Sequence, residues 1–94
     1  MYSKQWTQFE TQSLAFAILR KSLFPDYLVR GDFGEITIYR PTADKNNPVK
    51  LLSIKVQPSL NKEMESFVRL DDATYALVGG GAAYKVLEHV KPLL

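Results

Sequence analysis

Cysteine is absent from this 94-residue chain, which removes disulfides, thiolate nucleophiles and cysteine-held zinc or iron–sulfur centres. With His89 as the one histidine, a multi-histidine metal site within one chain is excluded as well. No apolar stretch nears the length of a membrane span; the longest lies around Ala15 and Leu19, inside a helical pattern. A dominant sign of charge is also missing. Twelve Lys and Arg stand against ten Asp and Glu, for a net charge of +2, and residues 1–47 and 48–94 each carry six basic and five acidic side chains. Without a basic run or tail, strong non-specific binding to a phosphate backbone is not expected. Residues 1–5 lack the apolar core and small-residue cleavage site of a signal peptide, so a cytoplasmic address is expected.

What is present suits one folded domain. The hydrophobic fraction of 46% is ordinary for a globular chain and too high for intrinsic disorder. A mass of 10.7 kDa allows one compact unit spanning residues 1–94, with no second domain.

Residues 3–24 read as a helix closed by Pro25. Two starts compete: Ser3, or Thr7, which has Glu10 at capping-box spacing. Glu10, Leu14, Ala17, Ile18 and Lys21 share one stripe, and Trp6, Phe9, Ser13 and Phe16 a neighbouring one. Such a helix is expected to pack along its length on a sheet, its aromatics lying in the core or in an oligomer contact. Residues 27–30 and 35–40 are β-rich runs around a Gly31–Gly34 turn, which predicts a hairpin. Residues 41–48 form a loop with a proline at each end. Residues 49–57 are the strongest strand. Asn61 is placed to cap a second helix running to about Leu70, followed by an Asp71–Asp72 turn. Residues 74–78 make a fourth strand, Gly79–Gly81 a loop, and residues 82–91 a last helix stopped by Pro92. The expected architecture is a mixed α/β domain of order α-β-β-β-α-β-α, with a four-stranded mixed sheet and flanking helices.

Alternation within the strands divides the sheet. Ile36 and Ile38 share one face, and Glu35, Thr37 and Tyr39 the other. Leu52, Ile54 and Val56 likewise oppose Ser53, Lys55 and Gln57. If the two strands are neighbours, one face is dry and the other carries a polar strip that holds Glu35 near Lys55.

This element order, with a carboxylate on the first helix and charged positions on the third strand, resembles the restriction-endonuclease-like, PD-(D/E)-x-K nuclease superfamily. Residues 74–87 also look like that fold's last strand and helix. The resemblance implies an α-β-β-β-α-β core and metal-assisted phosphodiester hydrolysis, in which carboxylates hold Mg²⁺ and a lysine orients the attacking water. It places Glu10 at the helix position and Asp32 or Glu35 at the second-strand acid, which makes these three the candidate metal ligands. Where active members read apolar-Glu-Val-Lys, this chain reads Ile54-Lys55-Val56-Gln57. In that register Lys55 replaces the acid and Gln57 the lysine; a shift of two keeps Lys55 but puts Ser53 where the acid belongs. The candidate catalytic set Glu10, Glu35, Lys55 and Gln57 is therefore short of a ligand, and Lys55 is expected to pair with Glu35 or Glu10.

The resemblance implies a degenerate nuclease: a non-catalytic binding or assembly module for a protein or nucleic acid. Two alternatives are a metal-dependent nuclease with rearranged ligands, and a small α/β interaction domain unrelated to nucleases. No cofactor is expected, Mg²⁺ entering only with the nuclease alternative. Arg20, Lys21, Arg30 and Arg40 are the candidate contacts to nucleic acid or a partner. No membrane association is expected, whereas a homodimer covering the first helix's aromatics is. Gly79–Gly81 reads as a tight strand-to-helix turn or a phosphate cradle without a P-loop's closing lysine. His89 is expected at the surface near a helix C-terminus.

Overall fold

The computed structural model describes residues 6–59 and 65–94. Helix α1 spans Gln8–Leu23, and its start settles on Thr7. The Thr7 hydroxyl accepts from the Glu10 backbone N–H at 3.1 Å, and the Glu10 carboxylate accepts from the Thr7 N–H at 3.1 Å. Two of the four N–H groups that a helix start leaves unpaired are thus satisfied. Ser3, the competing start, lies outside the described residues. The helix ends at Phe24, whose N–H still reaches Arg20 O at 3.1 Å before Pro25 interrupts the pattern.

Strands β1 (Leu28–Asp32) and β2 (Glu35–Arg40) form the expected hairpin, but its turn is only Phe33–Gly34, because Asp32 pairs with Glu35. Gly34 takes φ +69° with Phe33 at negative φ before it, a conformation that residues with a Cβ resist. Strand β3 (Val49–Gln57) lies antiparallel to β2, as the alternation requires.

Two expectations fail beyond β3. Residues 66–71 are not helical; they form strand β4 (Ser66–Asp71), which turns through Asp72 and Ala73 into β5 (Thr74–Val78). Among the described residues the sheet therefore has five strands rather than four, in the order β1-β2-β3-β5-β4, with β3 and β5 parallel. The chain leaves β3, skips the neighbouring position, runs along the edge as β4 and returns into the gap as β5. The backbone partners of β5 explain the outcome: as a helix, residues 66–71 would leave one edge of a largely buried strand unpaired. Phe67 completes the choice by stacking between Tyr75, at 5.3 Å, and His89, at 5.0 Å. Asn61, the expected cap, lies outside the described residues. The helix that a nuclease-type core would carry between its third and last strands is not formed by residues 65–73.

The last helix is broken as well. Helix α2 covers Gly80–Tyr84 and α3 covers Val86–Val90, with Lys85 out of helical geometry between them and a 3₁₀ turn at Lys91–Leu93. Pro92 enters that turn instead of stopping the chain, since a proline at the start of a helical turn forfeits no bond.

All three helices share one core with the dry sheet face, formed by Ile36, Ile38, Leu52, Ile54, Val56 and Leu77. The buried stripe of α1 is Thr11, Ala15, Leu19 and Leu23, which is neither of the two stripes expected. Thr11 tolerates burial because its hydroxyl donates to Thr7 O at 2.9 Å. The opposite sheet face carries no helix among the described residues. Nor is any described helix long and apolar enough to cross a membrane.

Candidate functional site

On the helix-free face, Glu35 stands directly opposite Lys55, and Thr37 opposite Ser53. This is the polar strip expected from the alternation. The ion pair is not formed: the described pairs are Arg30–Asp32 at 3.5 Å and Arg69–Asp72 at 2.8 Å, and Lys55 belongs to neither. The Asp71 carboxyl is held below the usual carboxylate range first by the Thr74 side chain and the Ala73 N–H, with the Lys55 charge the smallest contribution. Glu35 accepts a long hydrogen bond, 3.5 Å, from the Thr37 hydroxyl.

Glu10 is not part of this strip. Its carboxylate serves the cap of α1, on the other side of the sheet. Asp32 sits exposed at the hairpin end beside Arg30, and Gln57 lies exposed at the end of β3. Among the described residues no three His, Asp or Glu side chains converge as metal ligands would. The four candidate basic contacts do not gather either. Arg20 and Lys21 lie in the last turn of α1, Arg30 points to the helix-free face opposite Thr37, and Arg40 ends β2.

The triple glycine is a packing device. Gly79 has φ +86°, and a Cβ on Gly80 would run into the Trp6 indole. A Cβ on Gly81 would meet the Glu65 carboxylate, a group that repels the phosphate a cradle would hold. Helix α2 is also only five residues long. Trp6 closes this corner edge-on to Tyr84 at 5.9 Å, so it stands apart from the Phe9–Phe16 stripe with which the periodicity grouped it.

One further feature of the polar strip is measurable. Ser53 is 3% exposed, and its hydroxyl has no hydrogen-bond partner among the described residues. An unpaired buried hydroxyl costs about 1–3 kcal/mol of desolvation. Ser53→Ala is therefore expected to raise stability by roughly 1 kcal/mol, seen as a melting temperature higher by about 4–8 °C. A lower melting temperature would mean that the hydroxyl has a partner in solution.

A concave surface lies elsewhere, between the N-terminal half of α1 and the β1–β2 hairpin. It encloses about 660 Å³ and is lined by Phe9, Phe16, Phe33, Gln12, Gly31 and Gly34, among others. A second groove of about 480 Å³ continues past Phe16 along Ala17, Arg20, Lys21 and Phe24. Phe9 is 79% exposed, Phe24 54% and Phe33 fully so. Phe9 is thus not in the core, against one of the two readings open for it.

Gln12 builds this surface. Its amide donates to Asp32 O and more weakly to Glu35 O, and its carbonyl accepts from Gly34 N–H at 3.1 Å. Gln8 donates to Val56 O at 2.8 Å. One glutamine side chain so ties both ends of the turn to α1, and Phe33 is presented on a held backbone. Gly31 permits the approach, since a Cβ there would press on the Phe16 ring at 3.2 Å. Phe24 and Phe33 lay outside the expected site residues. The available signal was an aromatic, Phe33, inside the glycine-bracketed Gly31–Gly34 turn.

No protein-family model, no curated protein and no solved structure matches this chain.

Proposed function

We propose that this chain is a small α/β protein-interaction module that docks a protein partner, a second copy included, through the outer face of α1 and the tip of the β1–β2 hairpin. The observation that carries the reading is Phe33, fully exposed on a turn that Gln12 holds at both ends. Contiguous exposed apolar surface is costly for a protein that stays alone, and an aromatic anchor on a held backbone loses little entropy on binding. The nuclease readings find less support, because Glu10 and Glu35 lie on opposite sides of the sheet and the basic side chains are dispersed.

A photo-reactive phenylalanine analogue at position 33, with the same analogue at position 68 as control, tests this in the cell that makes the protein. Val68 is exposed and apolar but lies on β4. Discrete protein adducts are expected from position 33 and none from position 68. Adducts to nucleic acid from position 33 would contradict the reading. So would Mg²⁺-dependent cleavage of DNA or RNA by the purified chain that is lost with EDTA and with Glu35→Ala.

A further inference from the structure

The outer face of α1 is complementary to itself. Phe9, Ser13, Ala17 and Arg20 follow one another at helical spacing on the side away from the buried stripe, with Phe24 at the C-cap and the half-buried Phe16 at the edge of this face, where its ring packs against Gly31. Turning a copy antiparallel about a point between Phe16 and Ala17 matches Phe9 with Phe24, Ser13 with Arg20, and Phe16 with Ala17. Ring meets ring, a hydroxyl meets the guanidinium that in its own chain lies over the Phe24 ring at 5.6 Å, and the exposed edge of Phe16 meets the small Ala17. The two grooves share Phe16, so the same rotation lays the hairpin tip of each copy over the Arg20–Phe24 groove of the other.

Charge agrees with this placement. The hairpin end of the surface carries Asp32, shared at 3.5 Å with Arg30 on the same strand, and the far end carries Arg20 and Lys21. A parallel arrangement would set basic end on basic end; the antiparallel one sets each basic end beside an acid. Area agrees too. Exposures of 79%, 54% and 106% for Phe9, Phe24 and Phe33 amount to more than two whole aromatic side chains per copy. At about 200 Å² each, two copies supply on the order of 900–1,000 Å² from these rings alone. Phe16, Ala17, Ser13 and Arg20 extend this toward the roughly 1,200 Å² at which specific interfaces begin.

Resting on the interaction-module reading, we infer that the partner is a second copy of this chain, packed antiparallel on α1 about a two-fold axis between Phe16 and Ala17. Sedimentation velocity over a wide concentration range tests both the partner and the register. The chain is expected to pass from monomer to dimer. Ser13→Glu, which sets a carboxylate opposite Arg20 of the other copy twice per dimer, is expected to tighten the dimer by roughly threefold to tenfold, and Ser13→Lys to weaken it by as much. Both substitutions are at an exposed helix position, and circular dichroism checks that the fold is kept.

A chain that stays monomeric at hundreds of micromolar overturns the inference, as does a dimer indifferent to both Ser13 variants. The cross-links from position 33 separate this failure from failure of the broader reading. Adducts to a different protein overturn the second copy and leave the module standing; no adducts at all overturn both.

Discussion

Replacing Leu19 by alanine is expected to remove about 3–4 kcal/mol of stability and to lower the melting temperature by roughly 15–25 °C. Leu19 is completely buried at the middle of the Thr11–Ala15–Leu19–Leu23 stripe, and it belongs to the cluster that joins α1 to the sheet and to α2 and α3. Truncation removes the transfer free energy of its methyl and methylene groups. It also leaves a cavity that cannot close, because strands lie on one side and helices on the other. Leu14 provides the contrast. It is only partly buried at the edge of the same cluster, so Leu14→Ala is expected to cost about half as much or less. Urea unfolding followed by circular dichroism, with an unchanged dependence on denaturant, gives the comparison. Equal losses at the two positions would mean that α1 rests on the stripe expected from periodicity, which includes Leu14, and not on the one described.

Gly79→Ala is expected to be comparably damaging for a different reason, at about 3 kcal/mol. Gly79 combines φ +86° with ψ 156°, a region that side chains other than hydrogen occupy at a cost of about 1–3 kcal/mol. An added Cβ would also lie 2.6 Å from Ser59 Cβ and 2.8 Å from Glu65 Cγ, so strain and overlap act together. The control is two residues along. At Gly81 a Cβ meets the end of the flexible Glu65 side chain, which can swing aside, and Gly81→Ala is expected to cost less than about 1 kcal/mol. Thermal unfolding of the two variants separates them. A Gly79 variant as stable as the Gly81 variant would show that the β5–α2 turn can be remade without a positive φ.

The strip pairing Glu35 with Lys55 was legible because strand alternation has a period of two and both strands carry unbroken apolar faces at Ile36–Ile38 and Leu52–Val56. The Thr7–Glu10 cap was legible as one of two competing starts, since its chemistry lies within four consecutive residues. The buried stripe of α1 was not. Phe9 and Phe16, with Trp6 before the helix, pulled the apparent apolar face around it, while polar Thr11 sits in the buried stripe. Residues 66–71 escaped because six residues with apolar Phe67, Val68 and Leu70 fit either a short helix or a strand. What decides is the open edge of β5, a partner distant in neither space nor sequence but invisible to local pattern. Glu10 and Glu35 illustrate the same limit for function. Each occupied a plausible position on its own element, and only the side of the sheet on which each element lies keeps them apart.

Fluorine NMR of the chain carrying fluorinated phenylalanine tests the proposed interface most directly. There are five phenylalanines, and only Phe67 lies away from the α1–hairpin surface, stacked between Tyr75 and His89. On raising the protein concentration, the resonances of Phe9, Phe16, Phe24 and Phe33 are expected to shift together along one binding curve while that of Phe67 stays fixed. Four resonances that do not move with concentration, or a shift confined to Phe67, would contradict an interface formed by this face of α1 and the hairpin tip.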